Sequence, residues 1–286
     1  MSRGQAGVTR SALDAVRDFL GGPTPDDGAW SFDFGEHLNS NWGAVYGGAL
    51  AASSLAVARA AAPDRSPRSL HLQIVRSVPS GLAYASSEVR HAGRVVATVQ
   101  VEMFDARRKL AVVALVTMVT SDALAANMHN TGADKFDRHA QPLALEPGFI
   151  APLQQTLQML TEEDGSFVGS YAENVRRCFD GTLPPVGHIT VPWDDLGPTG
   201  PEAACLGADA MIVAPLLYSS IPNDVIGPNP DLTLRFTTAP AQREVLTAST
   251  ILSVQSGTAT IALEVQAGND QLAHGLATSL LLRAPP

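Results

Sequence analysis

Cysteine is scarce in this chain: Cys178 and Cys205 are the only two among 286 residues. Two isolated thiols build neither a disulfide framework nor a metal-binding cluster, so they read as ordinary thiols of a reducing compartment. An excess of positive charge is missing as well. Lys and Arg number 19 against 28 Asp and Glu, and the net charge is −9. Nucleic acid or an anionic membrane surface as the main partner needs clustered cations, so both are excluded as principal partners. A phosphate-bearing small ligand needs only a local basic patch and stays open. No apolar run is long: the longest, Leu110 to Val119, falls well short of the roughly 20 residues of a spanning helix. Met1 to Arg10 is polar, without the apolar stretch of a secretory leader. A cytoplasmic protein with no membrane span is the expectation. Other absences narrow the chemistry. There is no Gly-x-Ser-x-Gly elbow of a serine hydrolase, and no Gly-x-Gly-x-x-Gly or Walker motif. No metal and no cofactor is expected.

Apolar residues are plentiful at 45% and charged ones few at 16%, which argues for a sizeable core and against disorder. The length suits one large domain or two ordinary ones. After a short helix at Ser11 to Leu20 and a strand over Trp30 to Leu38, Tyr46-Gly47-Gly48 leads into Ala49 to Ala62. That run is apolar nearly all round and predicts a buried helix stopped by Pro63. Four alternating runs follow: Leu70 to Val75, Ala83 to His91, Val95 to Phe104 and Leu110 to Thr120, separated by short turns. They predict an antiparallel meander.

The second half repeats the plan. Glu202 to Leu217 predicts an Ala-rich helix, and strands follow at Leu232 to Phe236, Val245 to Val254, Thr258 to Val265 and Leu272 to Leu282. Overlaid, Leu70 falls on Leu232, Gly93 on Gly257 and Leu110 on Leu272. The offset stays within roughly 162 to 164 residues, which is the mark of an internal duplication. The expected fold is α+β, a double hotdog of two tandem helix-wrapped antiparallel sheets. Residues 1–125 form the first repeat, 126–165 a polar linker, and 166–286 the second, opened by strands at Phe167 to Phe179 and His188 to Trp193. A lone unit leaves a sheet edge and face exposed, and the second copy is expected to cover them.

Tyr46-Gly47-Gly48 ahead of a long helix, the strand Ser69-Leu70-His71-Leu72-Gln73-Ile74-Val75-Arg76, and Gly207-Ala208-Asp209 on the second helix carry a family signal. Together they resemble the bacterial acyl-CoA thioesterase II (TesB-like) family. The resemblance implies hydrolysis of an acyl-CoA to free acid and CoA. It implies a water held by an aspartate on the second helix, a Thr on the following strand and a Gln on the last strand. Those positions fall on Asp209, Asn229 and Thr278, so the chain departs from the pattern at two of the three. It also implies a homo-oligomer.

The residues support this chemistry in their own terms. Asp209 stands in an otherwise apolar helix, where a carboxylate is costly unless paired or hydrated and where its pKa rises. Gly47 and Gly48 open the first helix, where free N–H groups and missing side chains suit a developing oxyanion. The first helix has Ser53, Ser54 and Leu55 at the comparable depth and no acid, which predicts one site per chain. Met211 and Leu216 are expected to wall the acyl chain. Arg76, Arg94, Arg107, Arg108 and Lys109 are candidates for the CoA phosphates. His71 reads as structural. Two rivals stand beside hydrolysis. One is a catalytically degenerate double hotdog that binds acyl-CoA or another acyl ligand without turning it over. The other is a hydratase, which needs His71 or His188 to reach Asp209.

Overall fold

A computed structural model of the chain describes residues 11–40, 43–120, 186–191, 199–210, 212, 225–226 and 228–283. The expected linker, the strand at Phe167 to Phe179, Cys178, Met211 and Leu216 lie outside the described residues.

The first repeat runs α1 (Ala12–Leu20), β1 (Thr24–Asp26), β2 (Ala29–Phe34), a single 3-10 turn (Glu36–Leu38), α2 (Gly47–Ala61), β3 (Ser66–Ile74), β4 (Gly81–Ala92), β5 (Val96–Phe104) and β6 (Leu110–Val119). The second runs β7 (Val186–Thr190), α3 (Gly200–Ala210), β8 (Val225–Ile226), β9 (Asp231–Phe236), β10 (Glu244–Gln255), β11 (Thr258–Ala267), β12 (Asp270–Leu280) and β13 (Leu282–Arg283). The strand expected over Trp30 to Leu38 is therefore shorter. It stops at Phe34, and the chain turns at Gly35, where the His37 ring lies so close that a Cβ would be 2.5 Å from Nδ1. Both long helices begin earlier than expected, at Gly47 and at Gly200.

Eleven strands form one antiparallel sheet in the order β1-β2-β4-β5-β6-β3-β9-β12-β11-β10-β7. The repeats meet along β3 and β9, paired Leu70↔Leu234, His71↔Thr233 and Leu72↔Leu232. The four leucines are buried and face the helices; each contributes about 1.5–3 kcal/mol by leaving water. His71 and Thr233, 162 positions apart, face outward and mark the axis relating the two copies. The second copy thus covers the sheet edge of the first, as expected, but it does not cover the sheet face. Pairing β3 with β9 satisfies the backbone groups of both edges at once. The outer face stays open, with Leu115 41% and Leu276 45% exposed. The ladders place Leu115 opposite His71 and Leu276 opposite Thr233. That is one position off the overlay of Leu110 on Leu272, a slip taken up by the unequal turns after β5 and β11.

α2 is apolar on nearly every side because most of it is buried: Gly47 to Leu55, Val57 and Ala58 are, and only its last turn comes out toward solvent. It packs on the sheet and, antiparallel, on α3. At one end of that seam Gly48 approaches α3 so closely that a Cβ would stand 2.6 Å from the Cys205 carbonyl oxygen. At the other end Arg59 grips Glu202 with two bonds, Nε to Oε1 at 2.6 Å and Nη2 to Oε2 at 3.2 Å. The Glu202 side chain is 1% exposed.

Candidate active site

Ala203, Ala204, Cys205, Leu206 and Ala208 of α3 are fully buried, so the helix is locked in the core and Asp209 is carried on its last turn. The carboxylate meets the start of α2. The N–H groups of Gly48 and Gly47 bond to it. A Cβ at Gly47 would stand 2.7 Å from Asp209 Oδ1, and one at Gly48 would stand 3.0 Å from Asp209 Cβ. Glycine at both positions is what allows the carboxylate to reach the helix start.

Asn229 completes the group, its Nδ2 donating to Asp209 Oδ1 at 2.7 Å. Its place follows from the chain on either side. Ile74 N–H donates to the Pro230 carbonyl at 2.7 Å and Leu280 N–H to the Pro228 carbonyl at 2.9 Å. The segment is clamped between the ends of β3 and β12, and prolines on both sides of Asn229 restrict its backbone.

Burial pushes the Asp209 carboxyl up to about 6, against the pull of the Gly48 N–H, the Asn229 amide and the Gly47 N–H, which all favour the ionised form. The positive end of the α2 dipole acts in the same sense as those donors. A carboxyl in this balance changes charge close to neutral pH and suits general base work on a water. Burial, then the charges of Glu202 and Asp209, hold the neighbouring Cys205 thiol well up, so it stays protonated and unreactive.

Asp209, Asn229, Gly47 and Gly48 therefore come together. The N–H groups of Gly47 and Gly48, expected to face an oxyanion, instead hold Asp209. Thr278 stands apart from this group. It alternates with buried Ala277 and Ser279 and pairs with Asp231 in the register of β9, so its side chain takes the outer face, with His274. Its backbone N–H donates to Asp231 Oδ1 at 3.0 Å. The helix-facing hydroxyl of this strand belongs to Ser279. Thr278→Val is accordingly expected to leave any activity within about twofold of wild type, since outward-facing substitutions cost little; comparing initial rates of the two proteins checks this.

His71 also faces outward, away from Asp209. Arg235 Nη1 donates to its Nε2 at 3.2 Å, and its Nδ1 lies 3.2 Å from Thr233 Oγ1. Partial burial and then the Arg235 charge hold its imidazole below the usual range. This position removes it from the hydratase pairing. Of the basic candidates, Arg76, Arg107, Arg108 and Lys109 gather where β5 turns into β6, and the Arg76 and Lys109 charges act on Asp105. Ile74, at the same end of the sheet, reaches Gly47. Arg94 lies in the turn between β4 and β5, at the other end. Tyr46 sends its hydroxyl across the seam to the Leu206 carbonyl at 3.1 Å. Its place before the glycine pair was the only sequence signal it gave.

Among the described residues, no helix is long and apolar enough to cross a membrane. Residues 38–120 match the family model of the acyl-CoA thioesterase N-terminal domain. Solved structures share the double hotdog fold. A candidate thioesterase II from Thermobifida fusca YX is 17% identical, with 96% of this chain and 99% of that chain covered at a TM-score of 0.69. A hot dog fold protein of unknown function from Alicyclobacillus acidocaldarius is 16% identical, covering 98% and 100% at 0.62. An acyl-CoA thioesterase II from Mycobacterium marinum is 14% identical, covering 95% and 97% at 0.59. No curated protein is a sequence match.

Proposed function

We propose that this chain, which carries an acyl-CoA thioesterase N-terminal domain over residues 38–120, hydrolyses an acyl-CoA thioester to the free acid and CoA through a water held by Asp209. The observation that carries the reading is the Asp209 carboxylate itself: half-buried, raised to about 6, and met by Asn229 and the start of α2. Asn229 and the two glycine N–H groups fix its direction. The ionised carboxylate takes a proton from water as the water oxygen attacks the thioester carbon. When the C–S bond breaks, the proton passes from Asp209 to the departing thiolate sulfur. Arg76, Arg107, Arg108 and Lys109 meet the CoA phosphates. The protein acts in the cytoplasm as a homo-oligomer, with Leu115 and Leu276 on the open sheet face supporting contact between copies.

The test is a panel of acyl-CoAs of graded chain length, with thiol release as the readout. We expect turnover with at least one. The base must be ionised, so kcat/KM should fall on the acid side with a midpoint close to 6, where Asp209 protonates. A profile flat down to pH 4 would remove Asp209 from the role of base.

The placement of Thr278 favours a second reading. With Thr278 turned to the outer face, the side chain that the family pattern sets beside the aspartate is not at that position, and the site would bind an acyl-CoA without hydrolysing it. Saturable binding with no thiol release over hours would select that reading over the first.

A further inference from the structure

Tyr46 is the N-cap residue of α2, yet its side chain caps nothing. Its backbone fixes where the helix starts. The Tyr46 N–H donates to the Leu38 carbonyl at 3.0 Å, and its own carbonyl accepts from the N–H groups of Ala49 at 3.1 Å and Leu50 at 3.2 Å. The side chain leaves the helix altogether. It crosses the seam and donates its hydroxyl to the Leu206 carbonyl of α3 at 3.1 Å, one turn before Asp209. The ring rests on Gly48, where a Cβ would stand 3.0 Å from Tyr46 Cε2. The residue is 8% exposed.

Two things meet in this one residue. It begins the helix whose N–H groups hold the carboxylate, and it grips the helix that carries the carboxylate. We propose that Tyr46 is a positioning residue that sets the rotation of α3 against the start of α2, and so keeps Asp209 on the N–H groups of Gly47 and Gly48. This rests on reading Asp209 as the base. Sharing the Leu206 carbonyl with a bond from another element resists turning of α3 about its axis. A turn of α3 would carry Asp209 off the glycine N–H groups. The phenol is itself held well above its ordinary range by burial, then by the Asp209 and Cys205 charges. It remains a neutral donor at every working pH and takes no part in proton transfer.

Tyr46→Phe keeps the ring and removes only the donor. We expect kcat to fall about tenfold, the scale of a small misplacement of a catalytic group, with KM within about twofold. The acid limb should move up from near 6, because the turn takes away the Gly48 and Gly47 N–H bonds that pull the Asp209 carboxyl down against its burial. A residue that only packs would lower Tm and leave the limb in place. Carbon-13 NMR titration of the Asp209 carboxyl reads the same movement without turnover. A wild-type protein that hydrolyses no acyl-CoA would count against the thioesterase reading, while the titration would still judge Tyr46. An Asp209 midpoint identical in wild type and Tyr46→Phe overturns the proposal, whatever happens to Tm.

Discussion

Asp209→Asn is expected to abolish thioester hydrolysis and to stabilise the protein at alkaline pH. The amide keeps the size of the carboxylate but cannot take a proton from water, and loss of a general base costs about 100-fold or more in kcat. The stability effect follows from linkage. The Asp209 carboxyl is raised from 3.8 to about 6 in the folded chain. A raised carboxyl favours the folded state while protonated, below its unfolded pKa. That advantage is lost as pH rises through the folded value. At pH 8 the buried charge therefore costs about 1–3 kcal/mol, discounted for the partial exposure of the residue. The amide has no such cost, so the variant should melt higher than wild type at pH 8 and no higher at pH 4. Thermal unfolding of both proteins at the two pH values gives the answer. Equal offsets at pH 4 and pH 8 would mean that Asp209 does not titrate in this range, and undiminished turnover would mean that another group is the base.

Arg59→Met is expected to destabilise the chain more than any exposed substitution. It leaves Glu202, with its side chain 1% exposed, charged and without the guanidinium that now meets both of its oxygens. Breaking one partner from a buried pair costs about 3–5 kcal/mol, on the order of 10 °C in Tm for a chain of this size. Replacing both partners, Arg59→Met with Glu202→Leu, should recover most of the loss, because no buried charge is then stranded. A double-mutant cycle by chemical denaturation measures the coupling. A single variant as stable as wild type would show that water reaches Glu202. The seam would then be looser at this end than the two bonds imply.

The sheet was legible because its signal is local. Leu70, Leu72 and Ile74, and again Leu232, Leu234 and Phe236, alternate strictly, and an alternating strand carries its own face assignment. How the two copies join was not legible, since edge pairing depends on which strand is left open after folding. The site divides in the same way. Asp209 stood out as a carboxylate in an apolar helix, while Asn229 was reached through the family order alone. Thr278 and Ser279 show the limit. One step along a strand changes the face, and Leu276-Ala277-Thr278-Ser279-Leu280 contains no large apolar alternation to say which hydroxyl points inward. The seam between α2 and α3 was beyond reach for a different reason. A helix apolar on every side names no partner, and nothing local links Arg59 to Glu202 across 143 positions.

The joining of β3 to β9 has a consequence for the order of synthesis. β3 is made early and its partner strand 162 positions later, counted from His71 to Thr233. At about 5–20 residues per second, the ribosome leaves that edge unpaired for roughly 10 to 30 s. During this interval the central strand of the finished sheet is an outer one, open to any passing strand. The polar His71 and Gln73 on its solvent side, which do little for the completed core, make it a poor template for stray pairing while it waits.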